Sequence, residues 1–180
     1  MVTQAIETDG DLAQAMEQMP YGCYIVGSHD GAGNPNGMMA DWVMQVAFRP
    51  RILAVSFEND AHTLANIRRT RTFTVNMLPQ DEDGMHLAAR FAQPFNGAKV
   101  AGRSHDGDKT LHHRLDGIAY MPATHGAPVL KGASAWLECE AGEFVNVGDH
   151  TLVTGQVVHG RVLREADVLT STYTGWPYCG

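Results

Sequence analysis

Residues 36–57 read NGMMADWVMQVAFRPRILAVSF. Within this stretch, residues 38–48 (MMADWVMQVAF) predict one β-strand, and Arg49-Pro50 ends it because a proline has no N–H to give a ladder. Residues 52–57 (ILAVSF) predict a second strand. Its few polar groups imply burial on both faces. Two strands back to back, with no helical period between them, set a β reading for the chain.

The flanks extend that reading. Upstream, residues 21–28 (YGCYIVGS) predict a strand. The following HDGAGNPNG is the densest turn signal in the sequence. Downstream, residues 59–71 predict a helix, with Asn59 or Asp60 as cap and Leu64 and Ile67 facing inward. Arg68, Arg69 and Arg71 lie in its last turns, where cations suit the helix dipole. Residues 72–78 (TFTVNML) predict a strand. Met85, Leu87, Ala88 and Phe91 mark a helix over 84–92, and the polar, Gly-rich residues 93–116 read as a long loop. Over 133–141, Ala133, Ala135, Leu137, Cys139 and Ala141 alternate with Ser134, Trp136, Glu138 and Glu140, the pattern of a half-buried strand. Residues 149–162 predict a long strand. At the start, Leu12, Ala15, Met16 and Met19 mark a short helix that Asp9 or Asp11 caps and Pro20 ends. The tail carries Tyr173, Trp176 and Tyr178.

Five or six antiparallel strands with short helices between them place the chain in the mainly β class as a Greek-key barrel, closed or partly closed. All 180 residues are read as one domain. A parallel doubly wound sheet is disfavoured, because long helices do not separate the strands.

Charge and composition narrow the function. Lys and Arg number 13 against 20 Asp and Glu, a formal charge of −7. With no basic patch, nucleic-acid binding is excluded as the main activity. Residues 1–48 contain no Lys or Arg, so no signal or transit peptide is expected. The apolar runs are too short for a membrane span. A cytoplasmic protein is expected, with Cys23, Cys139 and Cys179 as free thiols. The charged fraction of 18% is low, which agrees with a surface partly covered by a cofactor or a second subunit.

Motifs with known chemistry are mostly missing. GAGNPNG lacks the third glycine of a dinucleotide fingerprint and precedes a strand rather than a helix. There is no P-loop and no HExxH. GASAW lacks the second glycine of a nucleophile elbow. The nine histidines show no ligand spacing, so no metal is expected. The segment SFENDAHT, residues 56–63, is different. A buried strand ends there and a helix begins, which gathers backbone N–H groups and small polar side chains. Such a point suits an anion such as a phosphate, or an ordinary cap, and Glu58 and Asp60 disfavour the anion.

The string quoted first, continued by NDAHTLANI and TFTVNML, resembles the flavin reductase-like family. Its members are FMN-binding split barrels, some of them reductase components of two-component monooxygenases. LAARFAQPFNGAKVAG (87–102) and GDHTLVTGQVV (148–158) are similar to two later blocks of that family, in the same order. The resemblance runs from residue 19 to 178.

The resemblance implies a six-stranded antiparallel Greek-key split barrel, a homodimer, and FMN as cofactor with NADH or NADPH as co-substrate. It places Met39, Ala40, Asp41 and Trp42 against the flavin ring, with Met39 where Thr is common and Asp41 where Ser is common. It places Ser56, Asn59, His62 and Thr63 at the phosphate and ribityl chain, and Arg90 and Phe91 on the cofactor's outer side. It sets Asp149 and His150 near the nicotinamide, with His150 orienting that ring. The implied activity is flavin reduction by NAD(P)H, with reduced flavin passed to a monooxygenase or to oxygen. An FMN electron carrier without nicotinamide turnover, or a deazaflavin-binding protein, remains open beside it.

Overall fold

In the computed structural model, which describes residues 9–92 and 114–176, seven strands form one antiparallel sheet. They are β1 (Tyr24–His29), β2 (Pro35–Ala40), β3 (Val43–Phe48), β4 (Arg51–Glu58), β5 (Thr72–Met77), β8 (Ala135–Val147) and β9 (His150–Val162). Their order is β2-β1-β5-β8-β9-β4-β3. Strands β2 and β3 stand at opposite ends of that order, yet only Asp41 and Trp42 separate them in the chain. Two residues cannot cross the width of an open seven-stranded sheet, since neighbouring strands lie about 4.8 Å apart. The sheet therefore curls until its ends meet, which makes it a barrel. A small second sheet pairs β6 (Tyr120–Pro122) with β7 (Pro128–Leu130).

Side-chain alternation divides the apolar residues between two cores. Val26, Leu53, Val55, Phe57, Phe73, Val75 and Val153 fill the barrel, and α2 (His62–Thr70) adds Leu64 and Ile67 to it. The alternate residues Ile25 and Met39 face outward into a second core with Leu78, Leu130 and Leu169. There α3 (Glu82–Phe91) contributes Ala88 and Phe91. Cys23 and Cys139 are both buried. Burial, and then the charge of Glu138, push the Cys139 thiol up to about 12.

The mainly β barrel agrees with the sequence reading, and its main sheet has seven strands where six were expected. The extra strand arises because residues 38–48 are not one strand but parts of two, β2 and β3. The expected turn after β1 is present. Asp30 accepts the N–H groups of Ala32 and Asn34, and Gly31 and Gly33 adopt positive φ. The pair β6 and β7 escaped the pattern because each is three residues long, too short to show a period. Strand β8 runs six residues beyond Ala141. Its expected outward row is not all outward, because Glu138 is wholly buried. The opening helix, α1 (Asp9–Met16), forms where expected, but Leu12, Met16 and Met19 stay exposed. In the tail, α4 (Ser171–Thr174) precedes Trp176, which packs on the second core. Tyr178, Cys179 and residues 93–113 of the expected 93–116 loop lie outside the described residues.

Candidate functional site

Closure of the barrel creates the site. At the break between β2 and β3, the carbonyl of Asp41 accepts the Val43 N–H at 3.0 Å, a tight reversal. The Trp42 carbonyl accepts the Ser56 N–H at 3.0 Å, which joins the break to β4. Met39 packs in the outer core, Ala40 in the barrel core, and Asp41 is also buried. Strand β2 is the last in the sheet order, so main-chain groups on its outer side take no part in the ladder, and the Gly37 carbonyl accepts from Arg114 instead. The Trp42 indole stands between two rings, Tyr21 at 6.4 Å and His150 at 4.9 Å.

His150 reaches that position because β9 pairs with β4, where its Cα partner is Glu58. It follows a turn through Gly148, whose φ of +62° suits glycine, and Asp149. The imidazole is mostly buried, while the Asp149 carboxylate, 2.7 Å from its Nδ1, is exposed.

The other half of the site is the start of α2. This helix begins at His62, not Asn59, with Ala61 in the cap position and no side-chain cap. The reason is that Asn59 is engaged elsewhere. Its N–H bonds the Asp149 carbonyl at 3.0 Å, its Nδ2 donates to the Gly148 carbonyl at 3.3 Å, and its Oδ1 accepts from the Thr151 hydroxyl at 2.7 Å. With no side-chain cap and no acidic residue in the first turn, the first N–H groups of α2 suit an anion, and Thr63 is buried among them. His62 is exposed, with Nδ1 3.3 Å from Asn36 Nδ2. Such a helix start has the chemistry to take a phosphate.

The fold brings together the Asp41–Trp42 break, Ser56, Asn59 and His150 through direct bonds and ring contacts, with His62 and Thr63 next along the chain. Arg90 and Phe91 are differently engaged. The Arg90 guanidinium donates to the carbonyls of Arg114 (3.3 Å) and Asp116 (3.2 Å). The Phe91 ring is buried in the second core, so close to Gly37 that a Cβ there would collide with it. Sequence reasoning passed over Tyr21, Thr151 and Arg114, and gave Asn36 no role beyond opening the flavin-side string. Arg114 is buried and donates to the carbonyls of Gly37 and Phe91, both at 3.4 Å. Burial lowers its pKa. No local pattern singles out any of the four, since each acquires its neighbours only across the barrel.

Comparison with known proteins agrees with this geometry. The flavin reductase-like domain profile matches residues 16–177. The chain belongs to that family. Among its relatives, the ferric-chelate reductase (NAD(P)H) of Archaeoglobus fulgidus is 31% identical over 160 residues, covering 87% of this chain and 85% of the relative. Diflavin flavoprotein A 1 of Synechocystis sp. is 29% identical over 175 residues, or 96% of this chain. The chain spans only 27% of that relative's length. The crystallised flavin reductase PheA2 superposes with a TM-score of 0.70 at 25% identity, covering 91% of this family member and 93% of the reductase. Among the described residues, no helix is long and apolar enough to cross a membrane.

Proposed function

We propose that the protein is an NAD(P)H-dependent FMN reductase that delivers reduced flavin to a separate acceptor. The observation that carries this reading is the placement of His150, its ring 4.9 Å from Trp42, at the same barrel rim as the uncapped start of α2. Bound flavin and nicotinamide supply the hydride chemistry themselves. The chain then has to bind, orient and exclude water. The N–H groups of His62 and Thr63, with the Thr63 hydroxyl, hold the phosphate. The main chain from Met39 to Trp42 frames the ring system, and Ser56 on β4 stands at the ribityl chain and phosphate. His150 positions the nicotinamide, and no acid or base is needed beside it.

Two partners belong to this proposal. Strand β3 ends the sheet and exposes Met44, Val46 and Phe48, the last 83% accessible. Exposed apolar side chains on an edge strand suit burial against a second copy, consistent with a homodimer. The acceptor is a flavin-dependent monooxygenase component, as the family resemblance suggests, in the cytoplasm.

The test is stopped-flow mixing of the FMN-loaded protein with NADH and with NADPH. Bleaching of flavin absorbance within seconds is the expected result. Absence of bleaching with both would overturn the proposal.

A further inference from the structure

His150 is held from both sides by a single asparagine. Asn59 bonds the carbonyls of Gly148 and Asp149, the two residues before it, and accepts the hydroxyl hydrogen of Thr151, the residue after it. Thr151 is fully buried. Its Oγ1 also accepts from Arg68 Nη2 at 3.2 Å, on the last turn of α2, and lies 3.3 Å from Asn146 Oδ1 on β8. The arginine is set in turn, with its guanidinium 4.9 Å from the Phe144 ring centre. The hydroxyl thus takes one hydrogen bond and gives one. Asn59 itself is exposed, but a side chain of the same shape without the hydroxyl would remove the part-buried bonds that Thr151 makes to Asn59 and takes from Arg68.

We infer that Thr151 is a positioning residue for the proposed reaction, acting through Asn59 to fix the rim turn that carries His150. The arrangement has a further consequence. Asn59 lies three residues before α2, and Arg68 is in its last turn. The segment whose helix start suits the flavin phosphate therefore also carries bonds that place the nicotinamide-side histidine. The rim turn is the two-residue hairpin between β8 and β9, closed by the pairing of Val147 with His150, and Asn59 adds bonds to the carbonyls of both of its residues. In this reading Asn59 serves the histidine side of the site rather than the phosphate.

The inference rests on the flavin reductase reading, and the experiment separates the two. In flavin-free protein, amide hydrogen exchange at Asn59, whose N–H bonds Asp149, reports directly on the rim turn. Thr151→Val is expected to raise that exchange about tenfold or more, and Thr151→Ser to leave it near the wild-type rate. In the FMN-loaded protein, Thr151→Val is expected to slow reduction by NADH about tenfold, with FMN affinity within about twofold of wild type. The double variant Thr151→Val with His150→Ala is expected to be no slower than His150→Ala alone, because both act on one ring. Should Thr151→Val fold poorly, Asn59→Ala on the surface is expected to show the same slow reduction with FMN affinity retained. Unchanged amide exchange, additive losses in the double variant, or loss of FMN affinity in Asn59→Ala would each overturn the inference. Wild-type protein that neither NADH nor NADPH reduces, with the exchange effect present, would instead remove the functional reading and leave the rim network in place.

Discussion

The imidazole of His150 lies 4.9 Å from the indole of Trp42, with the two rings tilted by 42°. Trp42 ends the passage from β2 to β3, and His150 opens β9. Strand β4 pairs with both β3 and β9, and so brings the two residues to one rim. The pair leaves the imidazole an aromatic wall on one side and the Asp149 carboxylate on another.

His150→Ala is expected to slow reduction of bound FMN by NADH tenfold or more, because misplacing a reacting ring by about 1 Å costs on the order of 10²-fold in rate. Binding of FMN should be nearly unchanged, since the phosphate groups lie on α2. Stopped-flow reduction and fluorescence quenching of FMN measure the two effects separately. A parallel fall in affinity would place the histidine against the flavin instead.

The start of α2 offers a test with opposite signs. Ala61→Asp supplies the missing cap and should stabilise the fold by about 0.5–2 kcal/mol in thermal unfolding. The same carboxylate opposes an anion at the helix start, so FMN affinity should drop roughly two- to fivefold. Thr63→Ala should weaken FMN by about 1–2 kcal/mol, the scale of one hydrogen bond to a charged group. Titration calorimetry that finds both affinities unchanged would move the phosphate elsewhere.

Glu138 should give the fold an acid limit. It is wholly buried, accepts the N–H groups of His125 (2.8 Å) and Thr124 (3.3 Å), and faces His125 Nδ1 at 3.0 Å. Burial raises its pKa, but these donors outweigh it and hold the carboxyl below its ordinary 4.5. A carboxyl whose folded value is depressed stabilises the fold fully above its unfolded value, and the contribution disappears as pH falls through the folded one. Urea unfolding should therefore show stability falling on acidification below about pH 4.5. Glu138→Gln should cost roughly 1–3 kcal/mol at neutral pH and flatten that acid limb.

Gly84 reverses a familiar sign. Replacing a helical glycine by alanine ordinarily stabilises by about 0.4–1 kcal/mol. In α3 the added Cβ would run into the backbone carbonyl of Pro79, which cannot swing aside like a side chain. That carbonyl also accepts the Asp81 N–H at 3.0 Å, and Asp81 caps the helix through the Gly84 N–H. Gly84→Ala is therefore expected to lower stability by roughly 1–3 kcal/mol, read as a lower Tm.

What the sequence alone determined was local in origin. Alternation of apolar and polar residues set the strands from Tyr24 to Val162 into a mainly β chain. The Asp30–Asn34 turn could be read from its residue types, because an aspartate that accepts its own backbone and glycines free to take positive φ need no distant partner. Leu64 and Ile67 announced the inner face of α2 through their helical spacing. Four ordered blocks carried the family resemblance, and with it the expected site at Asp41–Trp42, Ser56, Thr63 and His150.

Tertiary structure decided the rest. Residues 38–48 look like one strand because a period of two does not reveal which neighbour each half pairs with. The division at Asp41 exists because β2 bonds β1 while β3 bonds β4. Glu138 sits in an alternating row that reads as solvent-facing, and it is buried because the turn at Thr124 and His125 covers it. Asn59 has every attribute of a helix cap, yet it bonds Gly148, Asp149 and Thr151, because the pairing of β4 with β9 brings that turn within its reach. Propensity and period act over a few residues. Which groups cover a face or claim a hydrogen bond is settled by segments far apart in the chain, once the barrel has closed.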